Sequence, residues 1–243
     1  MNPAAAAAVP ATQNGSPEQN GSAEAPYREL LALDRIVKRW GKHIVLDHAE
    51  LILEPSSLTW IAGANGVGKT TLLRIAAGLI APDSGIVDLE GLHPERQRNA
   101  YLRQVGFLSA GEGGLYPRLT VQRHLEFWAR LAMIPKAERQ TAIERVVEHF
   151  GLHQFLKRRV ERMSMGQRQR VRLGMTFLHD PRVVLLDEPL NSLDEEGSEL
   201  VAQSLHRVVG QGGAVVWCSP GSDRPPVEFD ARYRLVDGRL ESR

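Results

Sequence analysis

Between a short apolar run and a helical stretch lies Gly63-Ala64-Asn65-Gly66-Val67-Gly68-Lys69-Thr70-Thr71. Glycines at this spacing let successive backbone N–H groups curl inward around an anion. The helix that follows adds the positive end of its dipole. An amine and a hydroxyl stand at its mouth. These are the parts of a phosphate cradle, with Lys69 reaching the outer phosphates of a nucleoside triphosphate and Thr70 offering its hydroxyl to magnesium. A glycine-rich turn with a stray lysine is the plainer reading, but the strand–loop–helix setting is the one that the phosphate motif requires.

A second group of oxygens follows much later. Val183-Val184-Leu185-Leu186-Asp187-Glu188 reads as a buried strand that ends in two carboxylates. Strand ends of this kind meet ligands at the carboxyl edge of an α/β sheet. There Asp187 can hold the metal and Glu188 can polarise a water against the terminal phosphate. Shortly before this strand, Ser164 and Gln167 are spaced as a capping box, so a plain helix start is one reading of Met163–Gln167.

The elements that must position these groups alternate along the chain. Leu30–Val37 and His48–Leu53 alternate apolar and polar residues as half-buried strands do, and Leu58–Ala62 is a buried strand. Thr71–Ala77 reads as a helix stopped by Gly78, and Gly85–Leu89 and Val105–Leu108 as short strands. Val121–Met133 and Lys136–Phe150 carry apolar residues at helix spacing and form a helical insert. Alternation then resumes with helix Gly166–Leu178, strand Val183–Leu186, helix Glu195–Val209 and strand Ala214–Cys218. A hairpin, Arg232–Val236 with Arg239–Glu241, turns at Asp237-Gly238. Strands apolar on both faces and separated by helices argue for an α/β fold with a parallel sheet.

Taken in order, these motifs resemble the ATP-binding cassette (ABC) family. Met163–Gln167 is similar to its signature motif and Asn191-Ser192-Leu193-Asp194 to its D-loop. The resemblance runs from about Ile36 to the C-terminal end. It implies a P-loop NTPase with a RecA-like parallel-sheet core, an N-terminal antiparallel β subdomain and an inserted helical subdomain at about 109–165, within a nucleotide-binding domain at 27–243. It implies ATP and Mg²⁺ as cofactors, and two cassettes closing head to tail on two nucleotides. Ser164, Gly166 and Gln167 then contact the phosphate held by the partner's P-loop, Asp194 lies at the seam, and Trp40 stacks on adenine. Leu115-Tyr116-Pro117-Arg118-Leu119 and its flanks resemble cassettes of ABC-2 exporters, while Glu126–Leu131 and Gly212–Val216 resemble the haem-exporter ATPase of cytochrome c maturation.

Two positions depart from the family pattern. The glutamine that senses magnesium falls on Ala110 or Gly111, with Glu112 as a substitute if the loop bends inward. The switch histidine falls on Pro220, which can neither donate to a phosphate nor relay a proton. His179 and His206 read as ordinary surface or helix residues. The expected function is the ATPase subunit of an exporter, with slow or partner-dependent hydrolysis; a regulatory subunit that binds ATP without turning it over is the alternative.

The composition sets outer bounds. With 30 Lys+Arg against 29 Asp+Glu, the 243-residue chain carries a formal charge of +1, not the basic excess of a nucleic-acid binder. The basic run Arg158–Arg172 reads as a solvated helix face. One cysteine, Cys218, excludes an intrachain disulfide and fits a reducing compartment. There is no transmembrane-length apolar run, and no basic, apolar-cored leader at the start. The expected location is the cytoplasmic face of the membrane, held there by a separate transmembrane permease. Residues 1–26, poor in large apolar side chains, are expected to lack order.

Overall fold

The computed structural model describes residues 29–111, 113–220 and 225–242. The tail 1–26, Tyr27 and Glu112, on which some expectations above fall, lie outside the described residues. Two sheets carry the fold. A three-stranded antiparallel sheet has the order β2-β1-β4, built from β1 (Leu31–Trp40), β2 (His43–Leu53) and β4 (Ser84–Leu89). A six-stranded sheet has the order β5-β6-β7-β3-β8-β9, from β3 (Ser57–Ala62), β5 (Val105–Leu108), β6 (Val183–Asp187), β7 (Ala214–Ser219), β8 (Ala231–Val236) and β9 (Arg239–Ser242). Five of its strands run parallel, and only the β8–β9 hairpin at the edge is antiparallel.

The continuous apolar strands are explained by burial on both faces. In β6, Val183 and Leu185 face one core, together with α1 (Lys69–Ala76) and the antiparallel sheet. Val184 and Leu186 face the other, with α3 (Val121–Leu131), α4 (Arg139–His149), α5 (Met165–Phe177) and α6 (Glu195–Gly210). All four side chains are fully buried, so truncating Leu185 to alanine costs about 2–5 kcal/mol.

The helices begin where their caps dictate. Thr120 caps α3 by accepting from the Arg123 N–H, and Asp194 caps α6 by accepting from the Gly197 N–H at 2.8 Å. Glu195 and Glu196 in the first turn of α6 complement its dipole. One further helix, α2 (Arg98–Gln104), went unread in the sequence. It buries only Tyr101, whose hydroxyl donates to the Ala76 carbonyl.

Two sequence readings need correction. The arginines of α5 do not form a solvated face. Arg172 is buried and donates to Gln169 Oε1 at 2.7 Å, the Gly113 carbonyl at 3.1 Å and the Ser109 carbonyl. Arg170 bridges Asp194 and Glu196 at 2.9 Å each. His179 is not an ordinary surface residue either. Its Nε2 bonds the Val105 carbonyl at 3.1 Å, and burial lowers its pKa. His206 is exposed, as expected.

Candidate nucleotide site

β3 delivers the chain to Gly63, and α1 leaves at Lys69. The turn between them depends on Gly68, whose φ of +114° is left-handed and whose Cβ would meet Val45 Cγ1 at 2.8 Å. No residue with a side chain satisfies both conditions. The glycine places the open N-terminus of α1 beside the loop of Ala64, Asn65, Gly66 and Val67, whose Val67 N–H donates to the Ala64 carbonyl. Lys69 is buried, and its Nζ donates to the Gly63 and Ala64 carbonyls at 2.7 and 3.0 Å. An ammonium has three donors, so two of them fix Lys69 against the loop that it serves.

Thr70 and Asp187 come from opposite ends of the sequence and meet here. The Thr70 hydroxyl donates to Asp187 Oδ2 at 2.6 Å. Burial pushes the Asp187 carboxyl above the usual carboxylate range, while the Thr70 hydroxyl and the Ala110 N–H pull it back. A hydroxyl and a carboxylate in contact are the hard oxygen donors that magnesium takes, usually alongside phosphate oxygens and water. Among the described residues, no cluster of three or more His, Cys, Asp and Glu could cage a metal. The donor set therefore fits a cation shared with a phosphorylated ligand.

Gly68, Lys69, Thr70 and Asp187 line one cleft of about 390 Å³, walled also by Thr71, Glu188 and Trp40. Trp40, at the end of β1, is 55% exposed, with Lys38 Nζ 5.1 Å from its ring centroid. A flat aromatic at the mouth of a phosphate cleft can stack on a base. Glu188 follows β6 with φ +51°, its N–H held by the Cys218 carbonyl at 2.9 Å. Its Oε2 accepts from Asn191 Nδ2 at 2.8 Å, a residue that the sequence reading placed in the D-loop resemblance without linking it to Glu188.

The signature residues stand apart from this cleft within one chain. Ser164 and Gln167 form the full capping box of α5, with the reciprocal bonds at 3.3 and 3.1 Å. The box is what the plain helix-start reading predicts, and it leaves the head of α5 as an open helix start in either reading. Gly166 packs on the D-loop, where a Cβ would lie 2.7 Å from the Ser192 carbonyl oxygen. Asp194 spends its carboxylate inside the chain, on the α6 cap and on Arg170. Pro220 is exposed beyond the end of β7, and Ser219 before it is buried and accepts from Trp60 Nε1 at 3.0 Å. Cys218 is fully buried and its thiol pKa is raised, which leaves it unreactive.

Residues 46–191 match the ABC transporter family, more than half of the 243-residue chain. The chain belongs to the ABC transporter family. It is 32% identical over 169 residues to the ABC transporter ATP-binding protein NatA of Bacillus subtilis (strain 168), covering 70% of this chain and 69% of NatA. It is 35% identical over 214 residues to the phosphonates import ATP-binding protein PhnC 1 of Natronomonas pharaonis, covering 87% and 91%. A sulfate/thiosulfate import protein, CysA of Mycobacterium tuberculosis, is 36% identical, but the match spans only 48% of its length. Two solved structures share the fold. One is the ATP-binding subunit of an ABC transporter, with a TM-score of 0.77, 23% identity and coverage of 87% and 88%. The other is a dimeric ATP-binding cassette with ADP and phosphate, with a TM-score of 0.76, 23% identity and coverage of 87% and 96%. The chain is thus an ABC ATPase, taking ATP with Mg²⁺, and the ATP-binding subunit of a transporter. No helix among the described residues is long and apolar enough to cross a membrane.

Proposed function

We infer that this ATPase subunit drives a membrane exporter as one half of a head-to-tail pair, and that it hydrolyses ATP slowly unless a partner completes its site. Pro220 carries this reading: the chain leaves β7 through an exposed proline, which has neither a donor nor a titratable group. The glutamine position falls on Ala110 or Gly111, and Ala110 brings only a backbone N–H to Asp187.

The geometry described above supports the following roles. Lys69 and the N-terminus of α1 bind the β- and γ-phosphates. Thr70 and Asp187 hold the magnesium, which when bound neutralises charge on the phosphate oxygens. Trp40 stacks on the adenine. Glu188 takes a proton from the attacking water. Ser164, Gly166 and Gln167 offer the head of α5 to the nucleotide of a second cassette, with Asp194 beside the seam. A transmembrane permease tethers the pair to the cytoplasmic face of the membrane. Export rests on the segment around Tyr116, whereas PhnC 1 and CysA carry import in their names.

Steady-state phosphate release decides the rate question. The isolated chain is expected to release little, and the chain assembled with its permease several-fold more. Fast release by the isolated chain would overturn the slow-site reading. No release in any assembly would favour the regulatory alternative, for which the same Pro220 speaks. Inside-out vesicles that accumulate cargo on addition of external ATP would establish export.

A further inference from the structure

Glu188 is the wall between two cavities. One is the cleft of Lys69 and Thr70. The other, of about 240 Å³, lies at the head of α5 and is lined by Met165, Gln169, Asn191 and Ser192. The Glu188 carboxylate is tethered on that second side, where Oε2 accepts from Asn191 Nδ2 at 2.8 Å. A carboxylate accepts and a side-chain amide donates only through its nitrogen, so the chemistry fixes which end of the Asn191 amide faces Glu188.

The two residues close one tight turn. The Asn191 N–H donates to the Glu188 carbonyl at 3.3 Å, and Glu188 and Ser192 both adopt positive φ, +51° and +65°. Helix α5 grips this turn at two points. Gln169 Nε2 donates to the Pro189 carbonyl at 2.8 Å in a buried contact. At Gly166 the backbone of α5 approaches the Ser192 carbonyl so closely that not even a methyl fits. The position of the Asn191 amide is therefore set by α5, whose first turn holds the signature residues.

We propose that Asn191 is a positioning residue for Glu188: its amide fixes Oε2 and leaves Oε1 to face the water, and the head of α5 sets where that amide stands. The proposal rests on the reading of Glu188 as the base. An untethered glutamate rotates about three side-chain bonds, and a tethered one presents a single oxygen in a single direction. Loss of the tether affects the reacting geometry, not the binding of the nucleotide.

The test uses the full chain in its most active assembly, with Asn191→Ala and Asn191→Asp made alone and with Glu188→Gln. Asn191→Ala is expected to lower kcat by roughly 3–10-fold, with KM and calorimetric ATP affinity unchanged. Asn191→Asp fills the same space but replaces the donor with a like charge, and it should lose more. In the Glu188→Gln background neither change should lower the residual rate further. Wild-type kcat in Asn191→Asp, or the same fold-loss with and without Glu188, overturns the positioning role. Full turnover by Glu188→Gln itself overturns the base assignment, and the proposal falls with it. Melting curves of each variant separate loss of rate from loss of fold.

Discussion

At the P-loop edge, Lys69, Thr70 and Asp187 are bonded to their own chain, with Lys69 and Asp187 buried in it. At the head of α5, Ser164 and Gln167 satisfy each other in an exposed cap, and Met165 between them is 58% exposed. The first region is assembled by packing between β3, α1 and β6, so it exists in one folded chain. The second is a finished helix start aimed outward, with no nucleotide-binding partner in its own chain. On the proposed reading, a site divided in this way binds with one half and is completed when a second molecule closes on it.

The largest effect should come from the packed half. Lys69→Ala removes the side-chain cation proposed to bind the β- and γ-phosphates and should weaken ATP binding by about 100-fold or more, since charge-assisted bonds are the strong ones. Titration calorimetry measures this, and wild-type affinity would break the comparison. Glu188→Gln keeps the shape and removes the base. Turnover should fall by about 10²–10³-fold with binding intact, and ATP should trap a dimer visible by size-exclusion chromatography.

On the outward half, Gly166→Ala forces a methyl against the Ser192 carbonyl, at a cost of about 1–3 kcal/mol. ATP binding to the single chain should persist while ATP-dependent dimerisation weakens by about tenfold, seen by sedimentation. Equal losses in both measurements would show that the halves are not separable. Pro220→His should raise turnover only several-fold, well under the roughly 10²–10⁴-fold worth of a well-placed acid–base group, because Ala110 remains. Fast wild-type hydrolysis with no gain in this variant would give the missing role to another group.

The smallest effect is on stability, and it lies in the helical region. His124 is fully buried, accepting from the Tyr116 N–H through Nε2 at 2.8 Å and donating from Nδ1 to the Thr120 carbonyl. Protonation would break the first of these bonds, and burial lowers the pKa of the ring. The unfolded chain takes up that proton near the ordinary histidine value of about 6.5, before the folded chain does. Stability is therefore present above that pH and lost as the pH falls through it. The melting temperature should drop between pH 7.5 and 5.5, and His124→Gln should flatten the drop.

The packed half was legible in the sequence because its motif is contiguous: Gly63 to Thr71 states its own geometry, and the apolar run of β6 points to Asp187. The element order was legible because the central parallel strands are apolar on both faces while the N-terminal strands alternate apolar and polar residues. Three kinds of feature were not. Helix α2 buries one residue, Tyr101, and so has no periodic apolar face to read. The part-buried bonds of Arg172 and His179 join residues far apart in sequence, and composition alone gave them to the surface. The Glu188–Asn191 tether is local, but it depends on positive φ at Glu188 and Ser192, which no residue type there announces.

The strand order has a consequence in time. β3, which ends in the phosphate cradle, lies between β7 and β8, which begin only at Ala214 and Ala231. The hairpin that follows is stitched to the N-terminal sheet, with Asp47 donating its N–H to the Gly238 carbonyl and accepting from Arg239 Nη2 at 2.7 Å. A ribosome that has just added Thr71 has made every residue of the cradle and none of the strands that will flank it. Until residues 231–242 emerge, Leu58–Ala62 is an apolar strand with open edges, a surface that invites mispairing with other nascent chains. Nucleotide therefore cannot help the early chain to fold, and a product cut short before β8 should be recognised as misfolded even though its phosphate motif is intact.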